Sequence, residues 1–584
     1  MGTSTLRNHL LCCPDYLNTF EDENQTTSHE MKDESKSHVF DKEACRKALT
    51  RLIIIDELPF SFVEKEGFQQ YSKQLEPNFD LPSRRTLARD VYKLFCDEKQ
   101  KLRNFFVSNK QRVCITIDAW TSIQNYYYMV ITAHFIDSEW KLQKRIFNFC
   151  TVPDHKGETI GKVIESCLLE WGVERVFTIT VDNASSNELA INYVKKKLKN
   201  WSENGLVLDG DFLHMRCCAH ILNLIVNEGL KDLHVSISRI RNAVKYVKSS
   251  PARLKKFKIC VEHERIEDAG LVVQDVSTRW NSTYLMLESA LKFQKAFERM
   301  EDDDRHYVLY FKEDGGPPNS DDWENANVFV LFFKSFYDIT LKFSGSMYVT
   351  SNLYFHEMCS IHSDLTSLIE SGDDLVLSKM AIGMKNKYDK YWGSIDRLNN
   401  LLLISVILDP RYKLKYVRFC FEDIFVIDEV GKKSEEVKNL LIRLYEYYKD
   451  LDTRIGGCGS SSGAKRYLLE PCEHVDDDDF EILAWWKMNS IKYRVLSHIA
   501  KDVFAIPIST VASESAFSTG GRIIDSFRSS LSLKMVEALI CSQNWLRNTF
   551  VPLQDEPTME ELEFYEAMIS EFGSSATTEA MTLD

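Results

Sequence analysis

The chain has 584 residues and a formal net charge of −15, because 87 acidic residues outnumber 72 basic ones. A hydrophobic share of 44% and a charged share of 27% are typical of packed soluble protein, and this length predicts about three or four domains. No apolar run approaches the roughly 20 residues of a membrane span, and the first residues contain no apolar signal core. The 15 cysteines are odd in number and scattered, which favours reduced thiols in the cytosol or nucleus over a disulfide framework.

The predicted elements begin after a polar, acidic segment at 15–44, which we expect to be disordered. From 45 to 112 the apolar residues recur at helical spacing, and Pro82-Ser83 predicts the start of a helix. The pattern then changes to short β-rich runs separated by amphipathic helices. We predict strands at 113–117, 126–135, 142–152, 176–181 and 214–218, with helices at 157–171, 185–198 and 220–230.

This order, β-β-β-α-β-α-β-α, matches a ribonuclease-H-like layout, in which a mixed sheet carries helices on its faces. We therefore predict an α/β fold whose core begins at 113–235 and is interrupted by a large all-helical insertion at 236–455. A flexible acidic linker follows at 456–479, because its first half is rich in Gly and Ser. A helical, strongly apolar block at 480–550 completes the core, and an acidic tail occupies 551–584.

Two aspartates follow buried strands at corresponding positions. Asp118 ends the first strand and Asp182 ends the fourth. If these strands are neighbours, both carboxylates emerge at one edge of the sheet, and carboxylates are the ligands that Mg²⁺ prefers. Such a pair is the minimal start of a two-metal phosphoryl-transfer centre. The alternative, that each aspartate only caps the helix or turn after its strand, is equally favoured.

The acidic balance does not exclude DNA as a partner, because salt screens surface charges beyond about 8–10 Å and local patches decide binding. Between Arg239 and Lys258 the chain contains only basic charges, among them Lys245, Lys248, Lys255 and Lys256. We predict that this patch binds DNA, with a solvated helix face as the alternative. For a second basic run, at 195–199, we prefer the solvated helix face.

Several motifs give the chain its resemblance to the hAT superfamily of DNA transposases, and in particular to plant sleeper-type BED-finger proteins, which are domesticated transposases. They are Ser83-Arg84-Arg85-Thr86-Leu87, Cys217-Cys218-Ala219-His220 with Asn223 and Leu224, the S-T-R-W-N-S element at 277–282, and a long C-terminal stretch from Trp485 to Ser518. Together they extend over most of the chain and keep their order.

The resemblance implies roles for individual residues. Asp118, Asp182 and Glu514 would form a catalytic Asp-Asp-Glu triad that binds Mg²⁺. Arg279 would hold a phosphate, His220 would lie near the scissile phosphate, and Trp280 would stack on a flipped base. Each role has an ordinary alternative. These are a solvated helix residue for Glu514, a surface ion pair for Arg279, a core histidine for His220 and core packing for Trp280.

The resemblance also implies self-association through the block at 480–550, with an interface that includes Trp485, Trp486, Phe517 and Leu539. A block of this size is too short to bury all its large apolar side chains internally. Packing of these side chains on the helical insertion is the alternative.

Residues 1–14 resemble the end of a BED zinc finger, in which His9 and Cys13 occupy the positions of the last two ligands. The C-x-x-C pair that should precede them is missing, and a structural zinc site needs four ligands. We therefore do not expect Zn²⁺ to bind to this chain alone.

From these features we predict a nuclear, homodimeric DNA-binding protein that derives from a hAT transposase and regulates transcription or development, with no membrane association. The alternative is an active Mg²⁺-dependent transposase, which the retained acids favour and the incomplete finger disfavours. A ribonuclease-H-type nuclease is a third hypothesis, and the long insertion argues against it.

Overall fold

The structure is a computed structural model that describes residues 40–122, 126–201, 204–231, 233–267, 270–277, 279–312, 316–371, 375–425, 427–454, 463–473, 480–524 and 531–550. The predictions for the finger remnant with His9 and Cys13, for most of the acidic N-terminal segment and for the acidic tail lie outside these residues. None of the helices in these ranges is long and apolar enough to cross a membrane.

In the part of the chain from residue 40 onwards, three α-helices precede the sheet: α1 (Lys42–Ile55), α2 (Glu66–Leu75) and α3 (Arg84–Asn109). The predicted start of the third is confirmed, because Ser83 is its N-cap and the Ser83 hydroxyl accepts a hydrogen bond from the Thr86 amide. The helix ends before Lys110, which adopts a left-handed backbone with φ of 45°.

The sheet has five strands: β1 (Val113–Thr121), β2 (Tyr127–Ile136), β3 (Leu142–Thr151), β4 (Val176–Val181) and β5 (His214–Arg216). Their spatial order is β3-β2-β1-β4-β5. β1 is antiparallel to β2 and parallel to β4, and β4 is parallel to β5. The helices between the later strands are α4 (Gly157–Trp171), α5 (Ser185–Trp201) and, after β5, α6 (Cys218–Leu230). The predicted mixed α/β sheet is thus confirmed.

The described residues of the insertion form helices that are joined by loops. Its helices are α7 (His234–Lys248), α8 (Pro251–His263), α9 (Trp280–Lys292), α10 (Gln294–Asp303), α11 (Arg305–Tyr310), α12 (Ser320–Ser344), α13 (Tyr354–Ser371), α14 (Leu375–Tyr391), α15 (Asn400–Leu408), α16 (Lys413–Ile424) and α17 (Ile427–Arg454). The segment predicted as a flexible linker contains a further helix, α18 (Gly463–Leu469). This helix forms because Tyr467 is fully buried and provides an apolar anchor.

The C-terminal block divides between two hydrophobic cores. Helices α19 (Ile482–Asn489) and α20 (Arg494–Phe504) pack into the core of the helical insertion. Helices α21 (Val511–Ile523) and α22 (Leu533–Phe550) pack with the sheet instead. The Trp545 indole, for example, donates to the Ile146 carbonyl at 2.9 Å. The chain therefore leaves the sheet after β5, builds the insertion and returns to cover the sheet.

Candidate functional site

The two aspartates lie side by side at the end of neighbouring strands. In the parallel ladder, Thr116 of β1 lies opposite Thr180 of β4. Two residues further along each strand, the same register places Asp118 beside Asp182, with adjacent strands about 4.8 Å apart. Both side chains are partly buried and emerge on the face of the sheet that carries Thr116 and Thr180, because side chains alternate between faces.

The returning C-terminal segment brings Glu514 to this face. The Thr180 hydroxyl donates to the Pro507 carbonyl at 2.8 Å, and the Cys218 amide donates to the Ile508 carbonyl at 2.8 Å. Further along the segment, the hydroxyls of Ser513 and Thr116 lie 3.2 Å apart. The segment 507–513 thus contacts β4, the start of α6 and β1, and Glu514 follows at once in α21.

The acids interact electrostatically. Burial raises the pKa of Asp118 well above its usual range, and the negative charges of Glu514 and Asp182 raise it further. The Ala119 amide, which donates to Asp118 Oδ1 at 2.8 Å, and the charge of Arg279 oppose this shift. The structure therefore gathers three acids and one arginine from four distant parts of the sequence.

These side chains do not form a ready metal centre. Asp182 Oδ1 accepts hydrogen bonds from the Ala184 amide at 2.9 Å and from the Asn187 side chain at 2.5 Å, so it holds the turn that leads into α5. Within the described ranges, no group of three or more His, Cys, Asp or Glu residues is placed to hold a metal ion. Carboxylates suit Mg²⁺ chemically, and the binding of this ion by Asp118, Asp182 and Glu514 stays a prediction.

Cys217 and His220 begin α6 beside the acids. Cys217 is buried and caps this helix, because its sulfur accepts from the His220 amide at 3.4 Å and from the Thr510 hydroxyl at 3.6 Å. Burial raises the pKa of Cys217 to about 11. Its thiol therefore serves as a helix cap in this structure, and the His220 side chain is partly exposed.

The structure does not support the assignment of Trp280 to base stacking. Its side chain is only 4% exposed and packs against Phe333 in the core of the helical insertion. A nucleobase cannot reach a ring buried in this way, so the ordinary alternative of core packing describes Trp280. The neighbouring Arg279 differs, because it is partly buried and its charge reaches Asp118.

The basic patch is weaker than the sequence indicated. Acids from distant segments neutralise part of it through the ion pairs Arg239–Asp322 at 3.0 Å, Arg241–Asp275 at 2.7 Å and Lys256–Asp304 at 3.1 Å. Lys245 and Lys255 are exposed, and Lys248 is partly buried. The second run is an ion-paired helix face, as we preferred, with Lys195, Lys197 and Lys199 beside Asp211, Glu165 and Asp209.

Three of the four residues predicted for the dimer interface lie inside the chain. Trp486 is 0% exposed and its indole donates to the Leu408 carbonyl at 3.0 Å. Phe517 and Leu539 are buried in the core of the sheet. Their apolar character indicated that they are buried, and other residues of the same chain bury them. Only Trp485 keeps part of its surface accessible.

The architecture defines a class of protein: a ribonuclease-H-like mixed sheet that is interrupted by a helical insertion and completed by a C-terminal helical region. Four family models match in order along the chain. They are the ZBED1 RNase-like domain at 116–212, the ZBED1 RNase-like helical domain at 215–331, the hAT-like transposase RNase-H fold at 352–448 and the hAT family C-terminal dimerisation region at 464–546.

Curated relatives agree with these matches. A Zea mays protein named "Putative AC transposase" is 33% identical over 97% of this chain and 74% of its own length. RICESLEEPER 2 of Oryza sativa, a zinc finger BED domain-containing protein, is 31% identical over 87% of this chain and 75% of its own length. DAYSLEEPER of Arabidopsis thaliana is 28% identical over 93% of this chain and 82% of its own length. The chain belongs to the hAT transposase family.

Proposed function

We propose that this chain is a nuclear, homodimeric DNA-binding protein that descends from a hAT transposase and acts as a regulator without cutting DNA. One observation carries the choice of regulator over enzyme: Asp182 Oδ1 already accepts two hydrogen bonds, from the Ala184 amide and from the Asn187 side chain. A metal ion that binds at this oxygen must displace or share both hydrogen bonds. The family match to a dimerisation region supports the homodimer.

The exposed lysines of α7 and α8 support DNA contact. Lys245 and Lys255 extend from consecutive helices into solvent, and exposed lysines bind phosphates through charge without reading sequence. The names of the relatives support the same partner, since they include transposases and BED zinc finger proteins. A nuclear location follows for a protein that acts on chromosomal DNA.

A Mg²⁺-dependent transposase is the second candidate. The observation that favours it is the position of Asp118 beside Asp182, with Glu514 close enough to raise the pKa of Asp118. This candidate requires that DNA or metal binding draw the three carboxylates together around the ion.

A strand-cleavage assay separates the two candidates. The full chain would be incubated with Mg²⁺ and a DNA end able to form a hairpin, beside the variants Asp182→Asn and Glu514→Gln. Glu188→Gln is the matched control, because Glu188 is an exposed acid on the helix that follows Asp182. We expect DNA binding without nicking by all four proteins. Metal-dependent nicking that Asp182→Asn abolishes and Glu188→Gln retains would establish the transposase instead.

The nuclear location is tested separately. A fluorescent fusion of the full chain, expressed in living cells, should accumulate in the nucleus. A signal confined to the cytoplasm would remove this part of the proposal and leave the cleavage result unaffected.

A further inference from the structure

Two cysteines of the helical insertion meet across a contact between two helices. Cys359 lies on α13 and Cys420 on α16, and a hydrogen bond links their thiols. Beside them the rings of Phe355 and Phe421 pack edge to face, with their centroids 5.4 Å apart. Both thiols are free, and Cys359 is partly exposed whereas Cys420 is buried. The fold therefore brings together two free sulfurs from helices that α14 and α15 separate in the sequence.

The spacing along the two helices explains why the sulfurs meet. One helical turn before the cysteines, His356 Nδ1 lies 2.5 Å from the Tyr416 hydroxyl. Cys359 follows His356 by three positions, and Cys420 follows Tyr416 by four. These are the spacings at which side chains share one face of a helix. The contact between His356 and Tyr416 and the contact between the thiols are therefore consecutive turns of one interface.

Hydrogen bonding makes Cys420 the more readily ionised sulfur of the two. The Cys359 thiol and the Tyr416 hydroxyl both donate to Cys420 and lower its pKa, although burial and the negative charge of Asp423 oppose this shift. The pKa of Cys359 is raised, because its thiol donates that hydrogen bond and because burial disfavours its charged form. The thiolate is the form of cysteine that attacks an oxidant, so Cys420 is the sulfur that reacts first.

We propose that Cys359 and Cys420 form a redox site, which hydrogen peroxide converts into a reversible disulfide. The Cys420 thiolate attacks one oxygen of the peroxide, which breaks the O–O bond, releases hydroxide and leaves a sulfenic acid on Cys420. The Cys359 sulfur then attacks the Cys420 sulfur and displaces that oxygen as water. In total the two thiols lose two electrons and two protons, and the peroxide takes up both and becomes two water molecules.

The surroundings of the pair fit this chemistry. Cys359 is partly exposed, so an oxidant as small as hydrogen peroxide reaches the sulfurs from solvent. The Tyr416 hydroxyl connects Cys420 to His356, which is exposed, and protons can therefore pass between the site and water. Disulfides in reducing compartments are usually transient and redox-sensing. The site thus gives the helical insertion a response to oxidants.

Two cysteines in the core of the sheet provide an internal comparison. The charge of Cys167 acts on Cys541, so these sulfurs also lie near each other. Cys167 is 1% exposed and Cys541 is 0% exposed. Burial raises the pKa of each thiol well above its usual range. Both should therefore stay thiols under conditions that oxidise Cys359 and Cys420.

Peptide mass spectrometry of the full chain tests the proposal without any substitution. The folded protein would be treated with hydrogen peroxide, unfolded in an alkylating reagent and digested. The peptide that contains Cys359 should then be joined to the peptide that contains Cys420, and dithiothreitol should separate the two. Cys167 and Cys541 should be alkylated as in untreated protein. Full alkylation of Cys359 and Cys420 after peroxide, or a disulfide from either of them to any other cysteine, would overturn the proposal.

Two variants separate the roles of the sulfurs. In Cys359→Ser the sulfenic acid on Cys420 has no thiol to react with, so dimedone, which labels sulfenic acids, should label Cys420. In Cys420→Ser, peroxide should leave Cys359 a thiol. Cys96→Ser is the matched control, because Cys96 is an exposed cysteine on α3, and it should form the disulfide in full. Circular dichroism checks that each variant is folded. Dimedone on Cys359 in Cys420→Ser, with none on Cys420 in Cys359→Ser, would overturn the assignment of Cys420 as the reacting sulfur.

Discussion

The hydroxyl of Thr116 lies 3.2 Å from the hydroxyl of Ser513, although 397 positions separate the two residues in the sequence. Both side chains are fully buried. The Thr116 hydroxyl also lies 3.2 Å from Nε2 of His134 on the neighbouring strand. This contact fixes the start of α21 on β1, and it explains how Glu514 reaches the sheet face that carries Asp118.

Replacement of Thr116 by Val should therefore destabilise the fold. The hydroxyls of Thr116 and Ser513 would lose their bond, and leaving a buried polar group unsatisfied costs about 1–3 kcal/mol. Chemical denaturation measures the change. Thr132→Val is the matched control, because the Thr132 hydroxyl is buried without a hydrogen-bond partner, so its removal should be neutral or stabilising. Equal losses in the two variants would show that the Thr116–Ser513 contact contributes nothing.

Asp118→Asn should stabilise the fold at neutral pH. Burial and two nearby acids raise the pKa of Asp118, so the folded state holds this proton more tightly than the unfolded state. The favourable contribution is complete below the unfolded pKa of 3.8 and is lost as pH rises through the folded pKa. The neutral asparagine does not carry this cost. The variant should therefore gain about 1.4 kcal/mol of unfolding free energy at pH 7 for each unit by which folding raises the pKa of Asp118.

Denaturant unfolding at neutral and acidic pH checks this sign. The advantage of Asp118→Asn should be present at pH 7 and should shrink as the pH falls towards 4. Asp97→Asn, at an exposed position on α3, should change stability little at either pH. A destabilised Asp118→Asn variant at pH 7 would contradict the electrostatic cluster.

The sequence was sufficient for features that depend on neighbours in the chain or on strand order. The crossover pattern allowed β1 and β4 to lie side by side, and once they do, the register places the aspartates at their ends next to each other. The sequence was insufficient where a residue's ion-pair partner is distant in the chain. The acids that neutralise Arg239 and Arg241, for example, come from other segments. Apolar character similarly predicts that Trp486 is buried, but says nothing about which surface buries it.

The exposed lysines give a prediction for DNA affinity. A Lys245→Ala, Lys255→Ala double variant should reduce the slope of log affinity against log salt by about 0.9 for each phosphate that the chain no longer neutralises. Titration of a short DNA duplex at several salt concentrations measures this slope. Lys197→Ala is the control, because the Lys197 ammonium already pairs with Glu165 at 3.0 Å. A slope that the double variant leaves unchanged would place the DNA-binding surface elsewhere.

Glu57→Gln should loosen the junction between the N-terminal helices and the C-terminal region. Glu57 accepts two hydrogen bonds from Arg522 at 2.7 Å and one from Gln543 at 2.9 Å. Burial alone would raise the pKa of Glu57, but Arg522, Gln543 and Arg547 together lower it below 4.5. A lowered acid pKa stabilises the fold above that value, and this contribution is lost as pH falls through the folded pKa.

The variant should therefore lose about 1–3 kcal/mol of unfolding free energy at pH 7, and the loss should shrink below pH 4.5, the usual pKa of a glutamate. Glu64→Gln is the matched control, because its pair with Arg84 is more exposed and longer, at 3.7 Å, and such pairs contribute about 0–1 kcal/mol. Denaturant unfolding across this pH range compares the two. A loss in Glu57→Gln that is equally large in acid would mean that packing around the side chain, and not its charge, holds this junction together.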